Sequence, residues 1–397
     1  MKQALLWTLV ALFALRLGIS TARAVPRPAH GFVSHYTAGR LLLEGENVAR
    51  FYDDDWFAAQ VRRFEPTVID LYGANLPTMA LFMTPIAALE YRPARAVWAG
   101  VSYLGLLFLL VFLARLCRLG PIWTPIYIGL GLAFQPVHEN LVHAQMYVAV
   151  LALAGVAWSG FRRASAPRLG MPLGTLFCWK TAGLMYWPML IAARRLRAFV
   201  WATLTVILIS VASLALMGFD AWVAYFSAAR ELSGDASLSV TAYQTQLSLV
   251  RHLFVYDTRW NPAPLVNLPA VASVLSVTLV CALLGSTAFV AWKRRSDDLI
   301  FAAFSALTLI LSPVSLDYHY TLALLPLAIL LTDVRAHPIS ALVVMIGALL
   351  IAADLPFRSP QLAPGALSLF AYPKLYGAYL LWGVALWRAH RLPQEHS

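Results

Sequence analysis

Apolar stretches of membrane-crossing character recur from one end of this chain to the other. They occupy residues 4–22, 97–114, 121–137, 141–158, 199–217, 265–291, 299–311, 320–331, 338–352 and 366–387. A hydrocarbon core of about 30 Å takes about 20 helical residues to cross, so the shorter runs borrow flanking residues. Two further stretches are ambiguous: 76–89 is broken by Pro77 and Pro85, and 169–193 is interrupted by Lys180. Each reads as a re-entrant or half-crossing hairpin, because irregular backbone at membrane depth must be satisfied by protein or a watery cavity. Composition agrees: 60% of the residues are hydrophobic and 12% charged, against a charged share of about 25% in soluble domains. No segment remains for a sizeable water-soluble domain. The fold class expected is an all-α polytopic membrane protein, a single domain over 1–397 with a long first outer loop carrying short helices.

The net charge of +11 does not point to nucleic acid, because the basic residues cluster between apolar runs, where they act as orientation signals. Arg115/Arg118, Arg162/Arg163/Arg168, Arg194/Arg195/Arg197, Lys293/Arg294/Arg295, Arg335 and Arg388/Arg391 mark the cytoplasmic face. Ten crossings with both termini inside a bacterial-type inner membrane satisfy all of them. Ala22-Arg23-Ala24 resembles a signal-peptide cleavage site, but with so many spans following, the first run reads as an uncleaved helix. Cys117, Cys178 and Cys281 are isolated, which argues against disulfides and structural zinc.

This orientation leaves residues 23–75, 138–140, 219–264, 317–319 and 354–364 outside, and nearly all the chemically interesting polar groups lie there. Acids, amides and histidines gathered on one face suggest an extracytoplasmic active site, whereas a transporter would scatter them through mid-membrane helices. Asp53-Asp54-Asp55 has two readings, a solvated helix N-terminus or part of a catalytic site. Adjacent acids point in different directions, so a divalent cation is unsupported and neither metal nor cofactor is expected. Gly-rich phosphate loops, Ser-His-Asp signatures and HExxH are absent from the sequence.

Several elements occur in a familiar order. His30-Gly31-Phe32 through Gly39 opens the first loop, followed by Tyr52-Asp53, by Tyr72 to Pro77 ahead of a helix ending near Pro85, and by Trp98. His143-Ala144-Gln145, Lys180, Phe219-Asp220-Ala221-Trp222, Gln244 to Ser248, and Ser312-Pro313 to Asp317-Tyr318-His319 come after. As a set spanning 32–331 they resemble glycosyltransferase family 87, whose members include polyprenyl-phosphate-mannose-dependent mannosyltransferases and arabinofuranosyltransferases with the GT-C fold. The sequence departs from that pattern where family members commonly carry Asp-Phe, with the Asp a candidate general base; here Gly31-Phe32 stands instead.

The resemblance implies transfer of a mannose- or arabinose-like sugar from a polyprenyl-phosphate donor to an extracytoplasmic glycan or glycolipid, with inversion. Such chemistry needs a carboxylate to take the acceptor proton and cations for the departing phosphate. With Gly31 in place of the acid, Asp53, Asp54, Glu65 and Asp70 are the candidate bases. Lys180, Arg251, His252 and His319 are the expected phosphate cations, with Tyr36, Tyr52, Gln145, Gln246 and Asp317 as further substrate contacts. Lys180 reads equally as a snorkelling interfacial lysine, and Asp317 and His319 as helix caps. Two other functions compete: a lipid-linked sugar flippase, and a catalytically inert glycolipid-binding relative, which the loss of the acid at Gly31 favours.

Overall fold

The computed structural model describes residues 2–73, 75–293, 296–332 and 337–392. The orientation markers Arg294, Arg295 and Arg335 lie outside the described residues. Among those described there are no strands beyond an isolated bridge between Asp257 and Asn261, so the protein is all-α.

The first helix, α1 (Lys2–Ala24), leads into a cap built from α2 (Phe32–Leu43), a 3-10 turn (Val48–Tyr52), α3 (Asp54–Val61) and α4 (Thr78–Ala87). This cap has its own core, in which Phe32, Tyr36, Phe51, Phe57, Tyr72 and Met83 are buried together. It closes because α2 and α4 approach closely at Gly39, where a β-carbon would sit 2.9 Å from the Met83 carbonyl carbon. At ten residues, α4 is about 15 Å long, half of what a bilayer core requires. Its two ends bind cap residues: Tyr72 Oη donates to the Leu76 carbonyl and Tyr36 Oη to that of Leu89.

The membrane body follows as α5 (Tyr91–Leu116), α6 (Trp123–Ala133), α7 (Gln135–Val142), α8 (Tyr147–Arg162), α9 (Ala166–Lys180), α10 (Tyr186–Ala192) and α11 (Leu196–Met217). It continues with α12 (Phe219–Gly234), α13 (Gln246–Phe254), α14 (Pro269–Trp292), α15 (Asp297–Leu311), α16 (Leu324–Leu330), α17 (Pro338–Ala352) and α18 (Pro373–Arg391). Of these, α1, α5, α11 and α14 are long and apolar enough to cross a membrane on their own. Their large side chains face outward; Phe108, Leu208 and Val274 are each more than 60% exposed, a surface that suits lipid and not water. At the centre, every residue of α15 from Leu299 to Ile310 is buried. Ser296 caps α15, and Asp297 and Asp298 in its first turn complement the helix dipole. These two carboxylates also pair with Arg195 and Arg162.

Several expected crossings are not single helices. The run 121–137 ends α6 at Phe134, after which Pro136 starts α7 in a position where its missing N–H costs nothing. Residues 138–140, expected as a loop, are thus helical, and the run from 141 begins its helix only at Tyr147 because Ala144 turns the chain at φ 47°. The segment 320–331 is a 3-10 turn (Asp317–Ala323) running into α16, and 366–387 opens with another (Gly365–Ala371) before α18. The expected outer loop 219–264 contains two helices, α12 and α13. Across 169–193, α9 and α10 form a helical hairpin: Thr181 sits at φ 53°, and the Phe177 and Trp187 rings meet at 6.3 Å. Arg195, just past the hairpin, returns to the Asp297 end of the body while Lys180 lies at the opposite, cap-bearing end.

Candidate active site

The α9–α10 hairpin brings Lys180 under the cap, where its Nζ donates to Asn75 Oδ1 at 3.1 Å. Thr78 Oγ1 beside it donates to the Cys178 carbonyl, fixing the cap to the tip of α9. A cavity of about 130 Å³ opens here, lined by Lys180, Thr181, Tyr147, Ser312 and His319. Lys180 thus stands at the meeting point of the cap, the hairpin and the segment that follows α15.

Asp70 approaches the same point from the cap. Its Oδ2 accepts the Gly31 backbone N–H at 2.5 Å and its Oδ1 that of Leu71 at 3.0 Å. Gly31 is the N-cap of α2 with φ 87°, a conformation that glycine adopts without strain. A β-carbon at this position would lie 1.6 Å from Gln145 Nε2, so the space beside the α2 N-terminus belongs to the Gln145 amide. Gln145 is delivered there by the turn between α7 and α8, its N–H donating to the Asn140 carbonyl at 2.7 Å. Burial raises the Asp70 carboxyl above the ordinary carboxylate range, while the Gly31 and Leu71 N–H groups oppose that rise.

Two histidines, His35 and His319, lie near Lys180. Burial, and then the Lys180 charge, hold His35 and His319 well below the usual imidazole value. For His319 the hydrogen bonding agrees: Nδ1 accepts the Leu316 N–H at 3.1 Å, which leaves the ring proton on Nε2. Its ring packs on Tyr147 and Tyr318, at centroid distances of 4.3 and 4.7 Å. His319 therefore presents its Nε2–H as a hydrogen-bond donor at the cavity.

Two of the other candidate acids are committed elsewhere. Asp53 caps α3, accepting the Trp56 N–H at 3.1 Å, and Asp54 is solvent-exposed in the first turn of that helix. Glu65 is buried against Arg95 at 3.5 Å. Arg95 also donates to the Ala24 and Arg27 carbonyls and so holds the chain leaving α1.

Most of the remaining expected contacts hold the scaffold. Tyr36 Oη is bound by Leu89, and Tyr52 Oη donates to the Asn75 carbonyl at 2.8 Å, one residue group away from Lys180. His252 has carbonyls at both ring nitrogens, Ser239 at 2.6 Å and Ala363 at 2.7 Å. Arg251 donates to the Ser233 and Gly234 carbonyls at the end of α12, and Gln246 Nε2 to Ser276 at 3.4 Å. Asp317 lies 3.0 Å from the fully buried Lys374 ammonium, tying the segment after α15 to α18. The cluster around Lys180 thus contains Asp70, Gln145 and His319 from the expected set, and adds His35, Asn75 and Tyr147. Of these additions His35 and Asn75 lie within the motif segments, but neither type nor spacing distinguishes them from loop residues. Among the described residues no group of three or more His, Cys, Asp or Glu is arranged to hold a metal ion.

The family model for glycosyltransferase family 87 matches residues 75–316, more than half of the chain. It covers Asn75, Gln145 and Lys180, whereas Gly31 and Asp70 precede it and His319 follows it. No curated protein matches.

Proposed function

Because the chain belongs to glycosyltransferase family 87 and is a membrane glycosyltransferase, we propose that it is an active GT-C-type enzyme that uses Asp70 as its general base. In this reading the donor is a polyprenyl-phosphate mannose- or arabinose-like sugar, and the acceptor is a glycan or glycolipid on the extracytoplasmic side of an inner membrane. The observation that carries it is the pairing of a buried carboxylate, Asp70, with the Gly31 N–H in the place where the family commonly has an acid, under the same cap as Lys180.

Asp70 removes the proton of an acceptor hydroxyl as its oxygen attacks the anomeric carbon. The bond from that carbon to the phosphate oxygen breaks on the opposite face, and the polyprenyl phosphate departs with the electron pair. Attack in line inverts the anomeric centre. Lys180 supports the charge growing on the departing phosphate, and His319, through Nε2–H, supplies a neutral hydrogen bond beside it. Burial that raises Asp70 improves it as a base at neutral pH, since a proton acceptor works best near the working pH.

The test is transfer of radiolabelled sugar from synthetic polyprenyl-phosphate mannose and arabinose to glycolipid, using purified protein in nanodiscs. Transfer by the wild type that Asp70→Asn abolishes while saturable donor binding persists supports the proposal. Undiminished transfer by Asp70→Asn rejects Asp70 as the base. Saturable donor binding with no transfer from either donor points instead to an inert glycolipid binder or a flippase.

A further inference from the structure

On the outer side of α1, away from the Lys180 cluster, a groove of about 650 Å³ runs along the helix and against α7. Leu12, Arg16, Ile19, Arg23 and Arg27 line it from the α1 side and His138 from α7. The spacing of four, three, four and four residues keeps these side chains on one helical stripe continued into the following segment. The groove is apolar at one end, where Leu12 and Ile19 are 55% and 43% exposed, and cationic at the end bearing the cap.

Three observations set the arginines of this groove apart. Among the described residues no acidic side chain pairs with Arg16, Arg23 or Arg27, whereas the nearby Arg95 is bound to Glu65 and Arg92 donates to the Pro26 carbonyl at 2.9 Å. Arg16 lies inside the apolar helix, eight residues short of its end, at a depth of about 12 Å, where an uncompensated charge is costly. His138 is fixed at the groove wall by Ser20, whose Oγ lies 2.9 Å from Nε2, and its Nδ1 is 3.9 Å from Glu139, a carboxylate itself engaged by Gln135 and His143.

We propose that this groove is a binding site for an anionic membrane phospholipid. The headgroup phosphate sits among Arg23, Arg27 and the upward-reaching Arg16, and an acyl chain lies along Ile19 and Leu12. Guanidinium groups match phosphate oxygens in a fixed two-pronged geometry, and basic pockets between membrane helices favour anionic headgroups. From Leu12 to Arg23 the stripe rises about 16 Å, close to one leaflet's half of a hydrocarbon core of about 30 Å. None of the residues around Lys180 lines the groove, which favours a lipid of the surrounding membrane over a reacting substrate. Such a lipid would fasten α1 to α7, the helix that precedes Gln145.

The full chain in zwitterionic detergent, titrated with phosphatidylglycerol and followed by native mass spectrometry, tests this without any transfer assay. The expected result is saturable binding to the wild type in preference to phosphatidylcholine, weakened about fivefold for each arginine changed to glutamine and about thirtyfold for Arg23→Gln with Arg27→Gln. Ile19→Trp, which fills the groove and leaves its charge intact, is expected to exclude the lipid as well. Arg62→Gln with Arg230→Gln, on exposed sites elsewhere, should leave the affinity unchanged. Equal affinity for phosphatidylcholine, or equal weakening by the Arg62/Arg230 pair, overturns the proposal. Displacement of phosphatidylglycerol by polyprenyl phosphate at a much lower concentration also overturns it, since the groove would then hold a lipid-linked substrate.

Discussion

The Asp70 carboxylate accepts the Gly31 backbone N–H at 2.5 Å, so an acid of the cap stands at the N-terminus of α2. Two segments 39 residues apart thus meet at one hydrogen bond. A carboxylate is stabilised there both by the N–H and by the positive end of the helix dipole, yet burial outweighs them and raises its proton affinity.

Asp70 should therefore control the acid limb of turnover. With its carboxyl raised by burial, the deprotonated base is lost at a higher pH than for an ordinary carboxylate as pH falls. The kcat/KM profile should rise through that raised value and then level off. In Asp70→Asn the limb should vanish along with about 10²- to 10⁴-fold of rate. The same shift has a stability consequence of opposite sense. A carboxyl raised in the folded state adds stability that is full below its unfolded value and lost as pH rises through the folded one.

Placing an acid at position 31 should not give a better enzyme. Gly31→Asp forces a side chain onto φ 87° and displaces the Gln145 amide from 1.6 Å. The backbone strain alone costs about 1–3 kcal/mol, which thermal unfolding in detergent would register. Because the obstructing atom is the end of a side chain, Gly31→Asp combined with Gln145→Ala should recover part of the loss.

Lys180→Met should lower kcat more than it raises KM for the donor, by about 10²- to 10³-fold in kcat if the ammonium meets the departing phosphate. A lysine that merely snorkels to the interface would show little change in either constant. His319→Asn, which preserves a hydrogen-bond donor, should be milder than His319→Ala, as expected for a neutral ring.

Glu65→Gln and Arg95→Met should act on stability. Removing one member of this buried pair leaves the other charge uncompensated, at a cost of about 3–5 kcal/mol, and for Arg95 also frees the chain after α1. Asp53→Ala removes only the α3 cap, at about 1 kcal/mol, and should leave turnover near wild type. Comparing melting temperature with transfer by the surviving folded fraction separates these two carboxylates from Asp70.

Much of the architecture follows from the sequence by itself. Lengthy apolar runs with few charges require lipid around them, and α1, α5, α11 and α14 each appear on such a run. The helix breaks were less legible. The turn at Ala144 is set by a left-handed residue that is neither glycine nor asparagine, so no local signal marks it, whereas the break at Thr181 was signalled only by the charge of the adjoining Lys180. Lys180 stood out because a charge within an apolar stretch demands a reason. Asp70 did not, because Asp53, Asp54, Glu65 and Asp70 are equivalent as residue types in one loop. Their roles separate through their partners, which are distant in sequence for Asp70 (Gly31) and Glu65 (Arg95) and local for Asp53 (the Trp56 N–H). Hydrophobicity is a property of each segment and determined the membrane class, and the order of short motifs carried the family resemblance. The burial, charge and hydrogen bonds of a carboxylate are properties of the packed assembly, and only the tertiary structure decided them.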